Sequence, residues 1–233
     1  MKIAIMQPYF FPYIGYFQLI NAVDEFVIYD NIEFTKKGWI NRNRILVNDT
    51  DGVISIPLKK DSDYLHVCDR FLADTWEIDR KKMLNRITES YRKAPYFKDT
   101  YEVVEKCVLY KDRNLFKFIL NSVQTVMQYL KIDTKLVVSS SVPIDHQLKS
   151  DEKVMAICKA RGADIYINPI GGLELYDKES FKKNNLELRF QKTNSINYAQ
   201  FNNEFIPWLS IIDVMMFNNR EDIHSKLESF TLY

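Results

Sequence analysis

Residues 3–6, Ile-Ala-Ile-Met, form an unbroken apolar run that ends at Gln7-Pro8. An apolar run stopped by proline predicts a strand covered on both faces, as in a parallel sheet. Gln7–Tyr16 carries Pro8, Pro12 and Gly15 and predicts a loop. Phe17, Leu19, Ile20 and Val23 then keep a helical spacing, and Glu25–Tyr29 predicts a second strand. Strand, loop, helix, strand over such a length is a βαβ unit. Ile45–Val47 and Val53–Leu58 predict a hairpin, with Asn48-Asp49-Thr50-Asp51-Gly52 as its turn. Residues 78–131 read as mostly helical: Ile78–Tyr91, a helix from Pro95 through Val104, and Leu115–Leu130. In the last, Phe118, Ile119, Val123, Val126, Met127 and Leu130 line one face. The pattern then returns to α/β. It predicts a strand at Lys135–Val138, a helix from a Ser150 cap to Arg161 stopped by Gly162, and a strand at Asp164–Asn168. A short helix near Lys178–Asn184 and a strand at Leu186–Phe190 follow. The expected architecture is one α/β domain over residues 1–233. Its mostly parallel sheet is built from both ends of the chain, with 78–131 as a helical insertion.

Composition narrows the class. Of 233 residues, 46% are hydrophobic and 27% charged, which excludes wholesale disorder. The net charge of +1 argues against a duplex nucleic-acid binder, which shows a strongly basic balance. Aromatics reach 14%, which favours an aromatic-lined pocket. Cys68, Cys107 and Cys158 lie far apart without Cys-x-x-Cys spacing, as expected of reduced thiols in a cytoplasmic protein rather than a disulfide or zinc framework. Ile3–Val23 carries no charge but is broken by Gln7, Pro8, Pro12, Gly15, Gln18 and Asn21. Ile206–Phe217 holds Pro207, Ser210 and Asp213. Neither reads as a membrane span.

In open α/β sheets, ligands bind at the carboxyl ends of the strands. Four loops are expected there: Gln7–Tyr16, Asp30–Glu33, Ser139–Asp145 and Asn168–Gly172. The first resembles the nucleotidylyltransferase loop in which a His-x-Gly-His motif holds nucleotide phosphates. Tyr13-Ile14-Gly15-Tyr16 keeps the glycine and replaces both histidines with tyrosine. Gly15 lets backbone approach a ligand, and the following helix N-terminus attracts an anion. Tyrosine supplies a neutral hydrogen bond where imidazolium would supply charge, so adenylyl transfer by the usual route is not expected. Simple packing of the tyrosines is the competing reading.

Lys36-Lys37-Gly38-Trp39-Ile40-Asn41-Arg42-Asn43-Arg44 places four cations around one indole, which suits a pyrophosphate-bearing ligand with a ring to stack on. Single-stranded nucleic acid and a solvated basic strand fit the same pattern. Asp30 and Glu33 could hold a cation, act as a general base or be surface carboxylates. Asp213, in an apolar run, requires a partner. His66, His146 and His224 do not pair at metal-ligand spacing. His146, after Pro143-Ile144-Asp145, is the best general-base candidate, with a surface histidine as the alternative. No Gly-x-Ser-x-Gly, Walker loop or His-Glu-x-x-His occurs, so no metal-ligand set stands out and the cofactor stays open. Asn168-Pro169-Ile170-Gly171-Gly172 offers backbone N–H groups to an oxyanion, or is a plain turn.

Together these stretches resemble the WbqC-like proteins of bacterial surface-polysaccharide genes. The resemblance rests on Met6–Phe17, Lys37–Ile45, Ile56-Pro57-Leu58, Lys93–Phe97, Gly162–Asn168 with Gly171-Gly172, and Phe205–Asp213. Asn168-Pro169-Ile170 departs from an expected Ser-Gly-containing run. The resemblance implies a role near nucleotide-linked sugars of O-antigen type. The first loop is also similar to that of pantothenate synthetase, which makes an amide bond. The leading expectation is therefore a transferase attaching an acyl or aminoacyl group to the amine of a nucleotide-linked amino sugar. The expected substrate-binding residues are Gln7, Tyr9, Tyr13, Gly15, Tyr16, Lys37, Trp39, Asn41, Arg42, Arg44 and Gly171. His146 or Asp30 would take the amine proton. A nucleotidylyltransferase acting on a sugar phosphate and a non-catalytic partner of a glycan-modifying enzyme are the alternatives.

Overall fold

The computed structural model describes residues 1–202 and 204–233. The chain begins with β1 (Lys2–Met6), α1 (Ile14–Asn21) and β2 (Glu25–Ile28). A hairpin of β3 (Arg42–Val47) and β4 (Thr50–Ser55) follows, then α2 (Trp76–Tyr91), α3 (Phe97–Val108) and α4 (Leu115–Leu130). The last third holds β5 (Lys135–Val138), α5 (Ser150–Arg161), β6 (Ile165–Pro169), α6 (Lys178–Lys183), β7 (Glu187–Thr193), α7 (Ile211–Phe217), α8 (Arg220–Leu227) and β8 (Phe230–Leu232). Six strands make one sheet in the order β5-β2-β1-β6-β7-β8. Strand β1 pairs in parallel with β2 on one side, from Ile3 opposite Glu25 to Met6 opposite Ile28, and with β6 on the other. Only β8 runs antiparallel, against β7. Strands from both ends of the chain therefore share one sheet.

The central strands β1 and β2 are mostly apolar because both their faces are covered, whereas β7 alternates buried and polar positions. Ile3, Ile5, Val27, Val137, Tyr166, Leu188 and Phe190 pack with Val154, Ile157 and Cys158 of α5 and Phe181 of α6. Ala4, Phe26, Ile28 and Ile167 face the opposite way. They join one large core with α1, α4, α7 and α8 and with the hairpin and helices of the β2–β5 connection. The helical stretch of that connection is thus packed on the sheet's own core.

Local chemistry explains where the elements depart from the pattern. The hairpin turn is two residues long, with Val47 opposite Thr50, and Gly52 lies within β4 opposite Ile45. Asn48 and Asp49 take φ of +47° and +63°, the left-handed conformation that a tight hairpin demands and that these side chains tolerate. Ser150 is not the cap of α5 but its first residue, with φ +48°, and no side chain caps that helix. Gly162 ends it at φ +68°, as expected. Helix α7 is apolar at nearly every position, so it shows no period, and β8 is only three residues long. Among the described residues, no helix is long and apolar enough to cross a membrane.

Candidate functional site at the carboxyl edge of the sheet

The loops after β5, β2, β1 and β6 leave the same edge of the sheet, and the strand order reverses between β1 and β6. Such a reversal opens a crevice at the carboxyl ends of the strands. The loop after β1 is braced from outside. Phe10 N–H donates to the carbonyl of Ile40 at 3.1 Å, and the Asn43 side-chain amide donates to the carbonyls of Phe10 (3.1 Å) and Phe11 (2.8 Å). Ser210 Oγ also donates to the Phe11 carbonyl, at 2.8 Å. Phe11 itself sits at φ +41°. The loop is thus held rigidly by β3 and by the residue before α7.

The tyrosines of this loop mainly pack. Tyr16 is buried, and its hydroxyl donates to the Gln7 carbonyl at 2.9 Å. Burial pushes its phenol well above the ordinary range. Tyr9 is half-buried against it, and Gln7 is half-buried. Gly15 does not open the backbone to a phosphate. A methyl group there would lie 2.3–2.5 Å from the Tyr13 ring, so the glycine makes room for Tyr13.

The basic stretch closes largely on itself. Arg42 donates to the carbonyls of Gly38 and Lys37. Arg44 pairs with Asp51 at 3.1 Å, and both guanidiniums lie 5.6–5.8 Å from the Trp39 ring. Lys37 is exposed. Lys36 and Asn41 instead line a groove of about 680 Å³ with Phe34, Lys59, Lys60 and Arg70.

Asp30 and His146 do come together, through Asn31 and the loop after β5. The Asp30 carboxylate is 6% exposed and accepts from Ser139 Oγ (2.8 Å), Ser140 N–H (2.9 Å) and Ser140 Oγ (2.6 Å). It therefore ties the end of β2 to the turn after β5, and it is shielded from a substrate amine. The single Ser139 hydroxyl proton is shared between Asp30 Oδ1 and Asn31 Oδ1 (2.7 Å), and the Asn31 amide Nδ2 lies 3.0 Å from His146 Nδ1. An amide NH₂ can only donate, so Nδ1 is the acceptor. His146 Nε2 then donates to the Val142 carbonyl at 3.1 Å. The ring is half-buried, with its basic nitrogen turned toward an N–H donor.

The pattern did not point to Lys153. Its position beside Val154 and four residues before Ile157 puts it on the buried stripe of α5, a signal that periodicity could have found. Its ammonium lies 5.7 Å from the Tyr29 ring, and burial lowers its pKa against the opposing pull of Asp30. His66, Cys68 and Asp69 also gather, with ligand atoms within 4.8 Å of one another, and could hold a divalent ion. They lie beside the cluster, since Cys68 N–H donates to the Asp30 carbonyl at 3.1 Å. Burial and the two nearby aspartates push the Cys68 thiol to about 11, so ligation would require it to lose a proton. A search for paired histidines passes over this trio. Glu33 bridges to His66 through backbone and does not join Asp30 in a carboxylate pair.

Asp213 is structural. Its carboxylate accepts from Tyr198 (2.6 Å), Gln200 (2.7 Å) and Tyr91 (2.8 Å), and Tyr91 accepts in turn from Leu46 N–H. Burial still raises its pKa against these three donors. Above this knot, Tyr13, Ile14, Thr193, Tyr198, Phe205 and Trp208 line an apolar cavity of about 430 Å³ at the end of β7. His146 is not among the residues lining this cavity, whose walls come from the loop after β1, the end of β7 and the segment before α7. Gly171 is exposed in the loop after β6. Gly172 is the glycine under constraint, because a methyl group there would lie 1.9 Å from Asn168 Nδ2.

The model of the WbqC-like protein family matches residues 7–225. A relative in Mycobacterium tuberculosis (strain ATCC 25618 / H37Rv), "Uncharacterized protein Rv1507c", is 28% identical over 219 residues, 92% of each chain. No solved structure matches the chain.

Proposed function

The chain belongs to the WbqC-like protein family, and on that premise we propose that it is a transferase of surface-polysaccharide biosynthesis. It attaches an acyl or aminoacyl group to the amine of a nucleotide-linked amino sugar. The observation that carries the reading is the fixed tautomer of His146. The Val142 carbonyl holds the Nε2 proton, and Nδ1 faces the Asn31 amide. A substrate amine that displaces Asn31 would meet the same lone pair. As the amine nitrogen attacks the carbonyl carbon of an activated ester or thioester, Nδ1 takes the amine proton. An amide bond forms, the ester or thioester bond breaks, and the departing oxygen or sulfur receives that proton. Asp30 positions this machinery by locking the turn that carries Ser139 and Ser140. The open parallel sheet with its reversal at β1/β6 supports a nucleotide-binding site of Rossmann-like, nucleotidylyltransferase-like type.

The loop after β1 disfavours nucleotidyl transfer, because Tyr13 fills the space over Gly15 and Tyr16 is buried. The test is mass spectrometry of UDP- and dTDP-linked amino sugars incubated with the chain and acyl or aminoacyl thioesters. We expect a mass gain matching one acyl group. The rate should fall about 10²–10⁴-fold in His146→Gln. Pyrophosphate release from nucleoside triphosphate and sugar phosphate, without acylation, would replace this reading by a nucleotidylyltransferase.

A further inference from the structure

Arg70 is 5% exposed, yet no carboxylate lies within 4.0 Å of its guanidinium among the described residues. Nη2 donates to the Ser62 carbonyl at 2.7 Å, the guanidinium lies 4.5 Å from the Phe34 ring, and Nε has no partner. Arg44 and Arg80 also leave Nε unpaired, but each has a carboxylate, Asp51 and Glu77 respectively. A buried guanidinium with no carboxylate in contact is costly; Asp63 acts on it only at a distance and is itself held by Lys36, so the placement favours a further anion. Arg70 lines the groove of about 680 Å³ together with Lys36, Lys59 and Lys60. Lys36 is engaged by Asp63 and Lys59 by Asp74, while Lys60 is exposed and has no ion pair among the described residues. The acids of the groove wall are Asp61 and Asp63. Asp63 already binds Lys36, and Asp61 accepts from Ser62 N–H. The four cations thus face three carboxylates, Asp61, Asp63 and the Asp74 that holds Lys59, which leaves the groove one positive charge in excess, with Arg70 and Lys60 the two cations in contact with no carboxylate among the described residues.

We infer that this groove binds the phosphate or diphosphate group of a small-molecule ligand, with Arg70 and Lys60 as its cationic contacts and the Phe34 ring as the platform that orients Arg70. A guanidinium stacked on a ring and held by one carbonyl keeps its remaining N–H groups in a fixed fork, which matches phosphoryl oxygens. The groove adjoins the candidate site. Phe34 is three residues from Asn31, so their Cα atoms are at most ~11 Å apart. A ligand anchored here by its diphosphate could present a sugar amine to His146. That last step rests on the function proposed above, whereas the anion site does not.

The test is titration calorimetry of the full chain with inorganic pyrophosphate and, separately, with a UDP-linked amino sugar. Wild type is compared with Lys60→Ala, Arg70→Lys and the remote surface control Lys106→Ala. We expect pyrophosphate to bind, with affinity falling tenfold or more in Lys60→Ala and in Arg70→Lys and unchanged in the control. Lys60 is exposed, so its variant remains informative if replacing the buried arginine impairs folding. Absence of pyrophosphate binding at millimolar concentration, or equal binding by wild type and Lys60→Ala, would overturn the inference. Groove-dependent pyrophosphate binding without any affinity for the nucleotide-sugar would leave the site standing and remove the proposed substrate. Nucleotide-sugar binding indifferent to Lys60 and Arg70 would do the reverse.

Discussion

Glu25, at the first position of β2, carries the densest ion pairing of the sheet. Arg161 at the end of α5 donates to both its oxygens, at 2.8 and 2.7 Å, and Lys135 at the start of β5 adds a third contact at 2.7 Å. The Arg161 hydrogen bonds, set against a smaller desolvation cost and helped by Lys135, push the carboxyl down to about 2. A carboxyl whose folded value is depressed stabilises the fold above the unfolded value and loses that contribution as pH falls toward the folded one. Glu25→Gln should therefore lower the unfolding free energy at pH 7 by about 1–3 kcal/mol. The gap to wild type should narrow as pH drops below the unfolded carboxyl value of ~4.3 toward about 2. Urea unfolding at pH 7, 4 and 3 measures this, and a gap that stays constant across the series would show that the ion pairs contribute nothing.

At the scale of elements, the loop after β6 separates two neighbouring glycines by their surroundings. Gly171 has nothing within 4 Å of where a Cβ would stand, while at Gly172 a Cβ would collide with Asn168 Nδ2. Asn168 Oδ1 in turn accepts from the buried Tyr166 hydroxyl at 3.1 Å, so any shift of Asn168 reaches the core beneath the sheet. Gly171→Ala should leave stability within ~0.5 kcal/mol of wild type, whereas Gly172→Ala should cost about 1–3 kcal/mol through overpacking. Thermal unfolding of the two variants decides between this account and one in which both glycines serve only loop flexibility; equal melting temperatures would favour the latter. The same loop explains how Asn168-Pro169-Ile170 is accommodated: Asn168 serves as an internal bracket, with Nδ2 donating to the Pro169 carbonyl at 3.2 Å.

Across the whole molecule, the connection from β2 to β5 shares its core with one face of the sheet, and the other face is closed by α5 and α6. Trp76, buried in that connection, packs on Phe118 of α4 with ring centroids 5.3 Å apart, within the core that reaches Phe26 and Ile28 of β2. A shared core predicts one cooperative unfolding transition, so the helical stretch should not melt before the sheet. Denaturant curves followed by Trp fluorescence in a Trp39→Phe, Trp208→Phe background, which reports Trp76 alone, should coincide with those from far-ultraviolet circular dichroism. Two separated midpoints would reveal an independently stable insertion.

The local patterns determined most of the sheet. Parallel strands read as apolar runs: Ile3–Met6 and Lys135–Val138 announce themselves by composition, and Glu25–Tyr29 overruns β2 by one residue. Leu115–Leu130 was legible to the residue, because one face is buried and the other is not. The four carboxyl-edge loops followed from the strands, since parallel pairing fixes which end of each strand faces which way. The positions of Asp30, Asn31 and His146 relative to one another were not legible, because the β2–β5 connection separates them by more than 100 residues in the chain. Nor could sequence tell that Arg42 and Arg44 bend back onto their own turn and Asp51 while Arg70 is left without a carboxylate. Residue type and spacing fix which charges a segment carries; only packing decides which are neutralised within the fold and which remain for a ligand.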